Sequence, residues 1–242
     1  MDQQLPGRVR VVVFDVGETL IDESRLWAQQ AHTVGVSPFT LMGVIGALIE
    51  QQESHHKAWD ILGVEAPSAA TEIRPGDFYP DALDCLLAAR DTGFVVGIAG
   101  NQLAGATSCL RAGGFDADFI ASAAKWGVAK PSTSFFSLIA DASGAEPGEI
   151  LYVGDRLDND IIPAAVGFRT ALLRRGPWGQ IHSRHVDSSL ADLRLDSLTE
   201  LASIFRAATS GAPAEQPANE LRRDDPAIRT VRASDADRPS YR

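Results

Sequence analysis

The run Val11 to Leu20, V-V-V-F-D-V-G-E-T-L, constrains this chain more than any other stretch. An unbroken series of β-branched and aromatic residues suits a strand buried on both faces, as in a parallel sheet. The run stops at an acid, Asp15, and passes at once into turn chemistry. A carboxylate just beyond such a strand's carboxyl end stands where open α/β sheets hold their ligands. A second run of the same design, I-L-Y-V-G-D-R-L-D-N-D-I, spans Ile150 to Ile161. Asp15, Asp155 and Asp160 are thereby expected to converge on one divalent cation.

Strand-like runs recur at Val9–Phe14, Phe94–Ala99, Asp118–Ala121, Ile150–Val153 and Arg169–Leu173. Helical patterns fall between most of them, among them Pro80–Arg90 and Ser132–Ala142. Strands alternating with helices predict an α/β fold, a doubly wound parallel sheet with helices on both faces. Some eighty residues separate the first strand from Phe94, too many for one crossover helix. Residues 24–73 read as helical, broken near Gly35–Pro38 and Gly63–Pro67, and predict an inserted α-helical cap. The expected division is a core of residues 8–21 and 76–205, a cap of 22–75, and a disordered tail of 207–242 rich in Ala, Pro, Ser and mixed charge.

The net charge of −10 argues against a general nucleic-acid binder, which would carry a basic stripe. Two cysteines, Cys85 and Cys109, make neither a disulfide framework nor a zinc pattern, and both are expected in helix packing. No stretch approaches the roughly 20 apolar residues of a membrane span, and the amino terminus lacks a signal-peptide core. A cytoplasmic protein without a nucleic-acid or membrane partner is expected. Nothing in the sequence bears on oligomeric state.

Four motifs in fixed order carry a family resemblance: V-F-D-V-G-E-T-L, then G-I-A-G-N at Gly97–Asn101, G-V-A-K-P at Gly127–Pro131, and V-G-D-R-L-D-N-D-I. Together they resemble the haloacid dehalogenase superfamily, in the branch with a helical cap after the first strand, over roughly residues 8–205. The resemblance implies that Asp15 attacks phosphorus to form a phosphoaspartate, which water hydrolyses. It implies a magnesium ion held by Asp15, the Gly17 carbonyl and Asp155, with Asp160 acting directly or through water. Charge neutralisation by such an ion lowers the barrier to carboxylate attack on a phosphate dianion. Lys130 would stabilise the phosphoryl oxygens and keep Asp15 ionised; Lys125 competes for that role but lacks the following proline. Thr19 would tie down the turn after Asp15 through its hydroxyl. Asn101, beside Gly100, would offer the phosphate its backbone N–H or amide. The implied partner is a small phosphorylated metabolite.

Two positions depart from the family pattern. Gly17 stands where family phosphatases carry a second Asp, which protonates the leaving group and later activates water. General acid–base help is worth about 10²–10⁴-fold, so its loss biases the reaction toward good leaving groups such as acyl or aryl phosphates. Gly100 stands in place of the usual Ser or Thr and removes one phosphoryl donor, a loss on the order of 1–3 kcal/mol. Its backbone N–H is still expected to bind the phosphate, and glycine permits the close approach. Glu18, one residue beyond the missing acid, is expected to point away as a solvated side chain beside the cap hinge. The alternatives are a metal-free 2-haloacid dehalogenase, which needs no second acid, and a catalytically weak homologue that binds a phospho-ligand or a protein.

His55 and His56 are expected on a solvated helix. Trp27, Trp59 and His32 are expected to pack between cap helices, with the cap's inner surface as the alternative. Trp178, Arg174 and Arg175 follow the fifth strand and read equally as surface or as an anion-attracting rim. Asn159 is expected to cap a helix starting near Asp160.

Overall fold

The computed structural model describes residues 3–68, 72–102, 105–164 and 167–210. Its frame is a six-stranded parallel sheet in the order β3-β2-β1-β4-β5-β6. The strands are β1 (Val11–Phe14), β2 (Val95–Gly100), β3 (Phe119–Ser122), β4 (Ile150–Gly154), β5 (Arg169–Leu173) and β6 (Leu193–Leu195). This is the doubly wound order, and it agrees with the α/β fold expected from the sequence. The short sixth strand was not expected. Its three residues, with Arg194 exposed between two buried leucines, are too few to show a period.

The alternation of β1 fixes what lies on each face. Val12 and Phe14 pack with Leu86 of one helix and Phe205 of another, whereas Val11 and Val13 pack with Phe135, Ile139 and Tyr152. Each such buried apolar side chain contributes roughly 1.5–3 kcal/mol. Phe14 pairs with Ile98 on one side and Val153 on the other, so β1, β2 and β4 end almost level. Asp15, level with Gly154, and Asp155, one residue further along, therefore emerge side by side at neighbouring strand ends.

Between β1 and β2 the chain forms α1 (Ser24–Thr33), α2 (Pro38–Glu50), α3 (Lys57–Leu62) and, returning to the sheet, α4 (Ala82–Asp91). Leu41, Ile45, Leu48 and Ile49 make one face of α2 and meet Ala31, Ala58 and Trp59 in a separate apolar cluster. Helix ends at Leu62 rather than running on to residue 73. Gly63, at φ 68°, closes α3 in the left-handed conformation that glycine adopts freely. A second break was not foreseen. Gln52, at φ 56°, ends α2 in a Schellman turn, with Glu53 N–H donating to Leu48 C=O.

The outgoing and returning chains touch where this helical segment meets the sheet. Asp22 N–H donates to Asp77 C=O at 2.7 Å, and Tyr79 N–H donates to Leu20 C=O at 3.0 Å. Arg25 of α1 adds a two-pronged bond to Asp77. The remaining helices are α5 (Ala106–Ala112), α6 (Ala123–Trp126), α7 (Thr133–Ser143), α8 (Ile162–Ala164), α9 (Gly176–His182) and α10 (Leu198–Ser210). Helix α10 continues through Ala207 and Ala208, where the tail was expected to start; alanine is a strong helix former. The rest of that expected tail, residues 211–242, lies outside the described residues. Among the described residues no single helix is long and apolar enough to cross a membrane.

Candidate active site

The carboxyl ends of β1 and β4 bring Asp15, Asp155 and Asp160 together, with ligand oxygens within 4.8 Å of one another. Asp160 reaches back from a π-helical turn, Leu157–Ile161, that precedes α8. Its Oδ2 accepts the Arg156 N–H at 3.0 Å. Asp160 thereby closes the turn itself, the part expected of Asn159, which instead lines the cavity above. Lys130 stands between two of the acids, its Nζ 2.7 Å from Asp15 Oδ1 and 2.5 Å from Asp160 Oδ1. Lys125 is exposed on α6 and takes no part.

The Lys130 backbone is pinned by Asn101. Lys130 N–H donates to Asn101 Oδ1 at 2.8 Å, and Asn101 Nδ2 donates to Lys130 C=O at 3.0 Å. The Asn101 amide is thus spent on positioning Lys130, which leaves its backbone N–H for any anion. Thr19 differs from expectation as well. Its hydroxyl is buried and has no hydrogen-bond partner among the described residues, while backbone bonds to Val16 C=O hold the turn.

Electrostatics make this floor costly without a cation. Burial, opposed by Lys130, raises the Asp15 carboxyl to about 6. Burial, with Asp160 and Asp15 nearby, pushes Asp155 well above the usual carboxylate range. Burial also opposes charge on Lys130, but Asp15 and Asp160 outweigh it and hold the ammonium firmly protonated. Asp155 Oδ2 is buried and has no partner among the described residues. An orphaned buried acceptor costs about 1–3 kcal/mol, more when charged. All-oxygen donors, surplus negative charge and that orphaned oxygen fit a hard divalent cation such as magnesium.

Both glycine departures are occupied by other side chains. A Cβ on Gly100 would collide with Gln102 Oε1 and with Asp15 Oδ1. The amide of Gln102 therefore stands where a side chain at position 100 would project. A Cβ on Gly17 would lie 2.7 Å from Glu23 Oε1. Glu23 precedes the first turn of α1 and receives a hydrogen bond from Trp27 Nε1 at 3.3 Å. Burial, with Glu18 and Asp15 nearby, raises its carboxyl to about 7. Glu18 is not the solvated residue expected. It is 4% exposed, sits at φ 50°, donates nothing, and accepts from Tyr79 OH at 2.6 Å and Glu23 N–H at 3.0 Å.

A cavity of about 270 Å³ covers this floor, and Trp27, His55, His56, Arg156 and Trp178 line it as well. The two histidines precede α3 rather than riding on a solvated helix. The His55 ring meets Trp27 and Trp178 edge-on, at 5.7 and 5.4 Å between centroids. Trp178 is 4% exposed and belongs to the apolar cluster of α1–α3, although it comes from α9. Arg156 lies over it at 4.8 Å and grips Asp158 with two nitrogens. Trp59 is buried within that cluster and His32 is exposed, so neither lines the cavity. Arg174 pairs with Asp196, and Arg175 with Asp81 and Tyr79, so neither forms the anion-attracting rim.

Sequence reasoning overlooked Glu23, Gln102 and Arg156. The readable signal for the first was a glycine at position 17 followed by the i, i+4 pair Glu23 and Trp27 at a helix start.

A buried aspartate, a lysine and an acidic pair gather at the carboxyl ends of a doubly wound sheet, where such folds hold their ligands. The chain belongs to the haloacid dehalogenase-like hydrolase family, whose pattern it matches over residues 9–167. It is 28% identical over 230 residues to a glyceraldehyde 3-phosphate phosphatase of Methanopyrus kandleri, covering 82% of this chain and 97% of that one. A protein of the same description from Methanocaldococcus jannaschii is 29% identical over 231 residues, with the same coverage. A crystal structure of a phosphatase from Thermococcus onnurineus shares the fold at a TM-score of 0.55, with 21% identity over 81% of this chain and 97% of that one.

Proposed function

We propose that this protein is a magnesium-dependent phosphohydrolase acting in the cytoplasm on a small phosphorylated metabolite through a phosphoaspartate on Asp15. The observation that carries the reading is the pair Asp15 and Asp155, buried beside Lys130 with an unpartnered carboxylate oxygen on Asp155. Asp15, Asp155 and Asp160 would hold the ion, which when bound neutralises charge between phosphate and carboxylate. Lys130 draws the phosphoryl oxygens toward Asp15 and keeps that carboxylate ionised for attack. Its ammonium is kept in place by Asp160, and its backbone by Asn101. A cavity of about 270 Å³ suits a compact metabolite, at the small end of ligand pockets. The names of the two archaeal relatives favour a three-carbon phosphate ester.

A haloacid dehalogenase would need no cation and would leave the buried Asp155 oxygen uncompensated, so that reading is disfavoured. The test is release of inorganic phosphate from glyceraldehyde 3-phosphate and from an aryl phosphate, with magnesium and with chelator. Magnesium-dependent release that vanishes in Asp15→Asn supports the proposal. Absence of release from every ester, or an Asp15→Asn variant as active as wild type, refutes it.

A further inference from the structure

The expectation of a bias toward good leaving groups supposes that the place of a side chain at position 17 is empty. It is not. The Glu23 carboxylate fills it, with Oε1 2.7 Å from where a Cβ on Gly17 would be. Trp27 Nε1 holds the other oxygen, Oε2, at 3.3 Å, and no described residue hydrogen-bonds Oε1. Glu23 lines the same cavity as Asp15, Lys130 and Asp155. Glu18, the nearer acid in sequence, has both oxygens engaged by Tyr79 and the Glu23 backbone. A side chain at position 17 would have to push the Glu23 carboxylate out of this place, so the glycine is what lets the glutamate occupy it.

Resting on the phosphohydrolase reading above, the geometry points to Glu23 as a catalytic residue, the acid–base group of this site, supplied from the start of α1 instead of from position 17. An Asp15 oxygen attacks phosphorus as the bond from phosphorus to the leaving oxygen breaks. The electron pair of that bond stays on the leaving oxygen, which takes the Glu23 proton and departs as an alcohol. Water then attacks the phosphoaspartate and gives its proton to the Glu23 carboxylate. The bond from phosphorus to Asp15 breaks, its electron pair returns to the carboxylate, and inorganic phosphate leaves. Glu23 ends protonated, as it began. Because the group comes from the helical segment over the sheet, proton donation is tied to that segment's seating on the core.

The test compares kcat/KM for an alkyl phosphate and for nitrophenyl phosphate, with magnesium, in wild type, Glu23→Gln, Glu23→Asp and the double variant Gly17→Asp/Glu23→Ala. A nitrophenolate leaves without a proton, so only the alkyl ester needs the acid. Glu23→Gln should lose ~10²–10⁴-fold on the alkyl ester and under about tenfold on the aryl ester. Glu23→Asp, which keeps the charge but withdraws it, should show the same selective loss if Glu23→Gln does not fold. The double variant should regain alkyl turnover, because the acid returns at position 17 once its space is vacated. Equal losses on both esters, no loss on the alkyl ester, or a wild type active on the aryl ester alone would each overturn the assignment. A wild type inactive on both esters would instead refute the phosphohydrolase reading.

Discussion

Lys130→Met tests the electrostatics of the site floor. The ammonium it removes has a side chain 1% exposed and neutralises two carboxylates, Asp15 at 2.7 Å and Asp160 at 2.5 Å. Methionine nearly conserves volume, so the change is chiefly one of charge. Removing one partner of a buried ion pair costs about 3–5 kcal/mol, because the charge left behind has lost both water and counter-ion. For a folded region of this size, 1 kcal/mol corresponds to about 2–4 °C in Tm, so the variant should melt roughly 6–20 °C lower. The assay is thermal denaturation in chelator at neutral pH, followed by circular dichroism. A companion double variant, Lys130→Met/Asp160→Asn, should recover part of the loss, since it removes one of the two stranded carboxylates. Contacting residues couple by about 0.5–3 kcal/mol, well within reach of such a cycle. If Lys130→Met melts within about 2 °C of wild type, less than 1 kcal/mol by the same scaling, the ammonium does not neutralise these acids.

Further outcomes follow from the same geometry. Magnesium at a hundred times its Kd should stabilise the wild type by about 2.7 kcal/mol; Asp155→Asn should abolish that gain yet melt no lower than wild type in chelator, and a variant that kept the gain would remove Asp155 from the ion's site. His55, held down to about 3 by burial, with His56 and Arg156 adding to the effect, should stay neutral in a ligand-free NMR titration from neutral pH to about 4; a midpoint near the ordinary histidine value would contradict its seat between Trp27 and Trp178. Asp77, kept below the usual carboxylate range chiefly by its hydrogen bonds from Arg25, should cost about 1.5–3 kcal/mol when changed to Asn. Its lowered folded pKa means that this stability is full above the unfolded value near 3.9 and is lost as pH falls through the folded one. The gap between Asp77→Asn and wild type should therefore close below about pH 4, and a gap that widened in acid would refute the pairing.

What could be read from the sequence was whatever is written in consecutive residues. The runs ending at Asp15 and Asp155 announced two central strands because a strand buried on both faces cannot spare a polar position. The four motifs announced the family for the same reason, each being local to one strand end or helix start. Relations across space were hidden. Gly17 was visible as a gap, but the side chain that fills it comes six residues later, after a turn whose path depends on the left-handed Glu18 and on Tyr79 sixty residues away. Trp178 gave no sign that it would pack from α9 into the apolar cluster of α1–α3. The end of α2 at Gln52 was illegible because a glutamine in a left-handed Schellman turn carries none of glycine's signal.

The central claim is that Asp15 itself becomes phosphorylated, and rapid quenching during turnover of an aryl phosphate with magnesium tests it most directly. Digestion in acid and mass spectrometry should find the mass of one phosphoryl group on the peptide carrying Asp15, absent in Asp15→Asn and accumulating in Glu23→Gln, where water is no longer activated. Phosphorylation of a different residue, or steady turnover that never labels that peptide, would contradict the account.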